Sequence, residues 1–328
     1  MNIEIITSKD SKQKETGFGS LLACDDVFKS LEKMGHSVSL TICKTLEDLE
    51  NVVKRKPNLV ILAVKYMPVK GKENLWLSQY FDTNNIEYSG SSRETLKYDS
   101  DKVFAKERLK SLSIKTAKYF TATPGQYNSE NEIPFAFPLF VKPGDAANGN
   151  GIDDASFVEN FFELQNKVLS LYEIYNEPVL IEEYLDGKEF TVAVTKNYSG
   201  EVTASAIEII PPVSHGGLRI LGADVKKDDS ETLKEIAATD IESVIEIAIA
   251  SYLGLGIRGF GRIDIKMDSL GCCYFMEANL VPGMNQSTSY FPQACAIANN
   301  MSYDNVIKSM LNECLARAKI GVNQLSLL

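Results

Sequence analysis

One stretch of the sequence, residues 259–285, mixes charged and amide side chains with apolar neighbours: GFGRIDIKMDSLGCCYFMEANLVPGMN. Its first half alternates as a strand does, so that three polar side chains share one face: Arg262, Asp264 and Lys266. A turn is predicted at residues 268–271, and Glu277 and Asn279 share one face of the return strand. The pattern predicts an amphipathic hairpin.

The predicted hairpin has two chemical interpretations. In a simple hairpin the polar face is solvated, and Met276 and Ala278 lie on the face opposite to Glu277. Carboxylate and amide oxygens on one face also suit Mg²⁺, which takes one or two carboxylates and completes its shell with water and phosphate oxygens. The following segment adds Gly283, and glycine is used where a backbone N–H approaches a ligand closely. The hairpin alone leaves both interpretations open.

Two segments upstream carry groups that suit a nucleotide. FVKPGDAANGNG has Lys142 at the end of an apolar strand, before a loop rich in glycine and asparagine. Backbone amides of such a loop can bind phosphates, although an ordinary turn has the same composition and the Walker A pattern is missing. VLIEEYLDGKEF has Glu182 and Glu189 beside successive strands, where a carboxylate can accept from adenine or ribose or can simply be exposed.

The elements that would position these groups divide the 328 residues into three parts. Residues 1–93 alternate strands and helices, which predicts a parallel α/β unit. Residues 94–187 begin with one long charged helix and continue into the glycine-rich loop. Residues 188–328 predict a mainly antiparallel sheet, with helices around 231–253 and 302–318. The fold class is therefore α/β, with an N-terminal parallel domain followed by two α+β subdomains.

Composition argues against several functions. The net charge is −10, and no Lys/Arg cluster is long enough to follow a phosphate backbone, so nucleic acid is not an expected partner. No run approaches the roughly 20 apolar residues of a membrane span, and the N-terminus has no apolar signal core. We therefore expect a cytoplasmic protein without a membrane partner. The six cysteines have no C-x2-C spacing, which favours buried thiols over a zinc site.

In this order, the motifs resemble the ATP-grasp carboxylate–amine ligases, most closely the D-alanine–D-alanine ligase group. The resemblance runs from about Leu96 to about Pro292, and GRID…EAN…PGM is its most specific part. It implies an ATP-grasp fold in which two α+β subdomains clamp ATP between them. It also implies a reaction in which ATP phosphorylates a carboxylate and an amine then displaces the phosphate.

The resemblance implies roles for individual residues as well. The ATP phosphates would be held by Lys102 and Lys142 and by the loop residues Asn148, Gly149, Asn150 and Gly151. The adenine pocket would be lined by Glu182, Glu183, Tyr184 and Leu185, and the ribose would be bound by Glu189. Mg²⁺, as two ions, would be bound by Asp264, Glu277 and Asn279. The oxyanion of the tetrahedral intermediate would be stabilised by Arg262 and the Gly283 amide.

The substrate loops depart from the family pattern. The first loop, TSKDSKQKETGFGS, offers Glu15 for the amino group of the first substrate. The family's histidine-containing turn is replaced by VKYMPVKGKEN, and the lysine of its adenine strand by Glu183. The segment 211–230 is irregular, as functional loops of this length often are. In the family this loop covers the substrate, and here it contains His215, Arg219, Lys226 and Lys227. After PGM the chain is one residue longer, and substrate contacts are expected from Asn285, Thr288 and Ser289.

These departures predict the same chemistry on a different acid or amine. The leading hypothesis is an ATP-dependent ligase that joins an amino acid or similar small carboxylate to an amine, with a homodimer expected from the resemblance. A cluster of three lysines predicts an additional negative charge on the substrate: Lys65, Lys70 and Lys72. The alternatives are a D-alanine–D-alanine ligase with diverged loops and a catalytically silent ATP-binding protein. Loss of the metal ligands would favour the silent protein, but those residues are present.

Overall fold

The computed structural model describes residues 1–8, 17–69, 71, 73–145, 149–214 and 216–325 of the chain. Within these ranges the chain forms three sheets of three or more strands and one two-stranded ribbon. Also within these ranges, no helix combines the length and apolar character needed to cross a membrane.

The first unit is a parallel sheet with helices. Its elements are β1 (Asn2–Ser8), α1 (Leu21–Lys33), β2 (Ser37–Cys43), α2 (Leu46–Arg55), β3 (Leu59–Leu62), β4 (Tyr66–Met67), β5 (Leu75–Trp76) and α3 (Leu77–Thr83). The sheet is parallel, as predicted; its order is β2-β1-β3, and β3 is buried at every position. Helix α3 begins only at Leu77, because the two residues before it pair with β4. Tyr88 forms a single bridge with Val60.

The second unit is an antiparallel sheet of order β6-β9-β7-β8. Its elements are α4 (Arg93–Ser100), α5 (Lys102–Ser111), β6 (Tyr119–Ala122), β7 (Leu139–Pro143), β8 (Phe157–Val158), α6 (Phe161–Tyr175) and β9 (Val179–Glu183). The single helix predicted over 92–113 is wrong. Asp101 is extended, and its side chain accepts from the Phe104 N–H, so it ends α4 and caps α5. Lys102 therefore begins a new helix.

The third unit is an antiparallel sheet of order β12-β11-β10-β13-β14. Its elements are β10 (Glu189–Lys196), β11 (Val202–Ile210), α7 (Ala223–Lys227), β12 (Thr232–Glu235), α8 (Ile241–Gly254), β13 (Phe260–Met267), β14 (Cys273–Asn279), α9 (Tyr290–Asn299) and α10 (Tyr303–Leu325). The strands of the predicted sheet are confirmed. The helix predicted from residue 231 is a strand until 235, because these residues pair with β11. Helix α9 was not predicted.

Helices α4 and α5, near the middle of the chain, pack against the third unit. Leu96 of α4 and Leu109 of α5 belong to the same buried core as Phe190, Ile263 and Tyr252 of the third unit. Helix α5 thus lies on the third sheet, although the predicted division assigns it to the central part. That division at residues 93 and 187 stays a prediction. The six cysteines are free thiols, and five are buried.

Candidate functional site

The hairpin of β13 and β14 carries the polar face that the alternation predicts. Arg262 lies opposite Asn279, and Asp264 lies opposite Glu277. The intervening side chains, Ile263 among them, are buried in the core, whereas the polar ones are partly exposed. This side of the hairpin borders two cavities between the units.

A bulge changes the alternation in the return strand. The register shifts between Asp264 and Ile265, so that Met276 is an extra residue between the partners Phe275 and Glu277. Met276 and Glu277 consequently both line the same cavity. The prediction that Met276 faces the opposite side is wrong, because strict alternation fails at a bulge.

Asp264 is fixed by four donor atoms on three residues. Arg262 donates from Nε to Oδ1 at 3.0 Å and from Nη2 to Oδ2 at 2.9 Å. Thr191 Oγ1 donates to Oδ1 at 2.7 Å, and Asn279 Nδ2 donates to Oδ2 at 3.1 Å. The guanidinium carbon of Arg262 also lies 5.4 Å from the ring centre of Tyr290. Such a bidentate pair holds both the arginine and the carboxylate in defined orientations.

Glu277 faces several positive charges. Lys102 Nζ, at the start of α5, lies 3.4 Å from Glu277 Oε2. Burial alone would raise the pKa of Glu277, but the charges of Lys102, Lys226 and Lys142 outweigh it and hold that pKa below its ordinary value. The carboxylate is therefore ionised at neutral pH and available to a cation.

Glu182 is buried between two lysines. Its Oε2 lies 2.6 Å from Lys142 Nζ, and its Oε1 lies 2.6 Å from Lys106 Nζ. Burial opposes ionisation, yet the two lysines hold the pKa of Glu182 below its ordinary value. Lys106 was not singled out in the sequence. Its position four residues after Lys102, on the same helix face, is the signal that could have found it.

The first cavity is a space of about 760 Å³ between the second and third sheets. Its apolar lining comes from several elements: Phe140, Ile152, Tyr184, Leu185, Ile220, Leu221 and Met276. Its charged lining includes Lys142, Glu182, Glu189 and Glu277. A flat apolar slot with a few fixed polar groups suits a purine ring, and the lysines suit its phosphates.

Glu183 and Glu189, both predicted to contact the nucleotide, each form a contact with a lysine of the protein. Glu183 accepts from the Lys118 N–H at 2.8 Å and lies 3.4 Å from Lys118 Nζ. Glu189 Oε2 accepts from Lys266 Nζ at 3.2 Å. Tyr184 and Leu185 line the first cavity, and the ring centre of Phe157 lies 4.7 Å from that of Tyr184; their contact with adenine stays a prediction.

The glycine-rich loop packs against the covering loop, backbone to backbone. A Cβ at Gly149 would lie 2.9 Å from the carbonyl carbon of Gly222, and a Cβ at Gly222 would lie 2.5 Å from the oxygen of Ile152. Gly149 and Gly151 also have positive φ angles. The glycines therefore allow close contact between the two loops beside Lys226, which lines both cavities.

The second cavity is a space of about 1550 Å³ between the first unit, the covering loop and the segment after β14. Predicted residues in its lining are Asn150, Arg262, Asn279, Gly283, Thr288 and Ser289. A Cβ at Gly283 would lie 2.7 Å from Ser289 Oγ, so glycine lets this turn pack against Ser289 without displacing that side chain. Lys65 also lines this cavity, where its Nζ binds Asp99 Oδ1 at 2.8 Å.

Other predicted substrate residues have structural partners. Asn285 Oδ1 accepts from the backbone N–H groups of Ser287 and Thr288, which fixes the turn after PGM. Arg219 lines the first cavity and donates to the Pro211 carbonyl. Five predicted residues lie outside the described residues: Glu15, Lys70, Lys72, Asn148 and His215.

The polar hairpin face fits a magnesium ion by its donor types. Among the described residues, no group of three or more His, Cys, Asp or Glu side chains could hold a metal ion. Two carboxylates, Asp264 and Glu277, and the amide oxygen of Asn279 nevertheless form an all-oxygen set on paired strands. Mg²⁺ is commonly bound by one or two carboxylates together with nucleotide phosphates, so a third carboxylate is not needed.

The chain is similar to known D-alanine--D-alanine ligases. The family model described as the D-ala D-ala ligase C-terminus matches residues 109–312. The chain is 27% identical to the D-alanine--D-alanine ligase B of Clostridium perfringens, covering 95% of this chain and 99% of that relative. It is 28% identical to the D-alanine--D-alanine ligase of Carboxydothermus hydrogenoformans, covering 95% and 97%.

The fold is also similar to a solved one. The crystal structure of the D-alanine--D-alanine ligase from Bacillus anthracis, complexed with ATP, matches with a TM-score of 0.75 at 22% identity. The match covers 98% of this chain and 99% of that one. The predicted α/β fold of the ATP-grasp kind is confirmed by this likeness.

Proposed function

Because the chain belongs to the D-alanine–D-alanine ligase family, we propose that it joins an amino acid, or a similar small carboxylate, to an amine. It is an ATP-dependent ligase that forms a C–N bond. One observation carries the proposal for the site. Lys102 forms an ion pair with Glu277, and Lys142 forms one with Glu182. Both pairs lie beside the bidentate pair of Arg262 and Asp264.

The first proposed step activates the carboxylate. A carboxylate is a poor electrophile, and its oxygen bonds to the γ-phosphorus of ATP as the bond to the ADP oxygen breaks. Catalysis of phosphoryl transfer is mainly positioning and neutralisation of charge. Lys102 and Lys142 supply positive charge for the phosphates, while Tyr184, Leu185 and Met276 form the apolar slot for the base.

The metal part of the proposal concerns the hairpin face. Asp264, Glu277 and Asn279 would hold Mg²⁺, as one or two ions, because their oxygens are of the type that this ion prefers. When bound, the ion supplies further neutralisation of phosphate charge. The protein's own contribution is orientation, since Arg262 and Thr191 fix the Asp264 carboxylate.

The second proposed step forms the C–N bond. The amine nitrogen first adds to the acyl carbon and gives a tetrahedral intermediate with an oxyanion. The carbonyl then re-forms as the C–O bond to phosphate breaks, and inorganic phosphate leaves with the proton that the nitrogen loses. Arg262 and the Gly283 N–H both line the second cavity and would stabilise that oxyanion. The reaction needs no nucleophilic side chain, because the activated carboxylate reacts with the amine directly.

Substrate-dependent ADP release tests the proposal. The protein is incubated with Mg-ATP and a panel of amino acid pairs, and ADP and the condensed product are measured. We expect ADP to form in equal amount to one condensed product. Tight ATP binding without turnover of any pair would instead favour a catalytically silent ATP-binding protein.

A second candidate is ligation of two D-alanines. The observation that favours it is that the relatives from C. perfringens and C. hydrogenoformans, matched over 95% of this chain, both carry that name. The test uses D-alanine as the only amino acid and measures the dipeptide. Turnover of another pair, together with no dipeptide from D-alanine, would rule this candidate out.

The proposal also covers the oligomeric state of the enzyme and its cellular compartment. A homodimer, expected from the resemblance, is part of the proposal, and the first unit exposes Leu21, Leu22 and Leu46. Light scattering after size-exclusion chromatography would measure the mass, and a monomer would contradict the dimer. Six free thiols support a reducing compartment such as the cytoplasm.

A further inference from the structure

Helix α5 presents two buried lysines, one turn apart, to two different sheets. Lys102 pairs with Glu277 of β14, and Lys106 pairs with Glu182 of β9. Lys102 is predicted to contact phosphate, but Lys106 has no role in the reaction described so far. The side chain of Lys106 is fully buried and is not part of the lining of the first cavity. Lys106 therefore does not contact a ligand in the first cavity and can act on it only through its charge and its contact with Glu182.

Glu182 is shared between a lysine at the cavity and a lysine behind it. Lys142 lines the first cavity and lies 2.6 Å from one carboxylate oxygen. Lys106 lies 2.6 Å from the other oxygen. With Lys142 alone, the carboxylate would form a neutral pair, and the attraction of that lysine for phosphate would largely be cancelled. With both lysines protonated, the three side chains carry one net positive charge; burial lowers the pKa of Lys106, and the charge of Glu182 opposes that effect.

We propose that Lys106 is a positioning residue for the nucleotide phosphates: it neutralises Glu182 from behind, so that Lys142 presents its positive charge to the cavity. This inference rests on the proposed function in one respect, that ATP is the ligand of the first cavity. A purely structural role is the competing explanation, because breaking a buried ion cluster also destabilises a protein.

The affinities for adenosine, ADP and ATP separate the charge role from the structural role. Lys106→Met removes the charge and keeps an apolar stem, and calorimetry measures the three affinities. We expect the ATP affinity to fall by roughly 10-fold or more, because a full charge is removed close to the phosphates. Adenosine affinity should change less than about two-fold. An equal loss for adenosine and ATP would overturn the inference.

A second test removes the negative charge of Glu182 together with the positive charge of Lys106. In the double variant Lys106→Met/Glu182→Gln, Lys142 faces a neutral amide, so the ratio of ATP to adenosine affinity should return toward that of the unchanged protein. Glu182→Gln alone should raise this ratio, and Lys106→Arg should preserve it. No recovery in the double variant, or a lower ratio in Glu182→Gln, would overturn the inference.

A matched control removes an exposed charge from the same helix. Lys110 lies one turn beyond Lys106 and is exposed, so Lys110→Met should leave all three affinities unchanged. The controls also separate this inference from the proposed function. If the unchanged protein binds no ATP, the proposed function fails. If it binds ATP and Lys106→Met keeps the affinity ratio, only this inference fails.

Discussion

The two cavities of the site are built in different ways. In the first cavity, charged side chains from adjacent strands and from α5 pair with each other, as Glu182 does with Lys142 and Lys106. In the second cavity, side chains from distant parts of the chain meet. Lys65, just after β3, binds Asp99 Oδ1, and Asp99 Oδ2 accepts from the Leu280 N–H at 2.6 Å.

The contacts around the second cavity join the first unit to the turn after β14. The Met284 N–H donates to the Phe18 carbonyl at 3.1 Å, and the Phe18 N–H donates to the Ala63 carbonyl at 2.9 Å. A Cβ at Gly17 would lie 1.9 Å from the Ala63 oxygen, so this contact requires glycine. We therefore expect the chemistry to depend on local strand geometry and substrate choice to depend on how the units meet.

The largest expected effect is at the hairpin. Glu277→Ala removes an ionised carboxylate from the face that would bind Mg²⁺ and leaves Lys102 without this partner. We expect ADP formation to fall more than about 100-fold, since neutralisation of phosphate charge is central to phosphoryl transfer. The measurement is ADP release with saturating Mg-ATP and substrate.

A control variant tests whether that loss is specific. Glu246 is exposed on α8, and Glu246→Ala removes the same charge from the same unit. This control should keep full activity, and both variants should unfold in one cooperative transition. Retained activity in Glu277→Ala would contradict the metal assignment and, with it, the contrast between the two cavities.

Arg262→Lys should have the next largest effect. A lysine keeps the charge but cannot reproduce the bidentate pair with Asp264 or the fixed geometry over Tyr290. We expect kcat to fall by about 100-fold, as is usual when an oxyanion donor is lost. ATP affinity should fall less than kcat does, because Arg262 lies at the second cavity and would act on the phosphates only through the Asp264 carboxylate. Steady-state kinetics and ATP calorimetry together check both parts, and a loss confined to ATP affinity would contradict the oxyanion role.

Much of the polar hairpin face, which borders both cavities, could be predicted from the sequence because its geometry is local. Alternation along RIDIKM determines that Arg262 and Asp264 share a face, and the structure pairs them across from Asn279 and Glu277. The exception is Met276, where a bulge adds one residue to the strand. A bulge depends on pairing with the neighbouring strand, and therefore one strand's pattern did not reveal it.

The residues that were missed depend on tertiary contacts. In the sequence, Lys106 is one of several lysines on a charged helix. Only the packing of α5 brings it to Glu182. Asp101 reads as a helix residue, but it caps α5 and thereby separates α4 from Lys102. Asp99 and Lys65 are 34 positions apart. No local periodicity relates positions so far apart, so the contact between Lys65 and Asp99 at the second cavity could not be predicted from the sequence.

A moderate effect is expected at Lys65. Lys65→Met keeps much of the volume but removes the charge from the lining of the second cavity. Because Asp99 offsets much of the Lys65 charge, we expect the KM of the carboxylate substrate to rise by only about three-fold, with the KM of ATP within about two-fold. Lys54→Met, an exposed position in the same unit, is the control. An unchanged substrate KM would count against an additional negative charge on the substrate.

The smallest expected effect is a change in how stability depends on pH. The pKa of Glu182 is lowered from its ordinary value of 4.5 because Lys106 and Lys142 outweigh the effect of burial. A carboxyl with a lowered folded-state pKa contributes stability above its unfolded pKa, and this contribution is lost as the pH falls through the folded pKa. Glu182→Gln lacks this proton equilibrium, so the stability advantage of the unchanged protein should shrink by about 1 kcal/mol between about pH 7 and about pH 3.5. Urea unfolding at the two pH values measures the difference in free energy of unfolding between the two proteins. A difference that grows in acid would mean that the two lysines do not control the ionisation of Glu182. The first cavity would then lack the charge pairing that distinguishes it from the second.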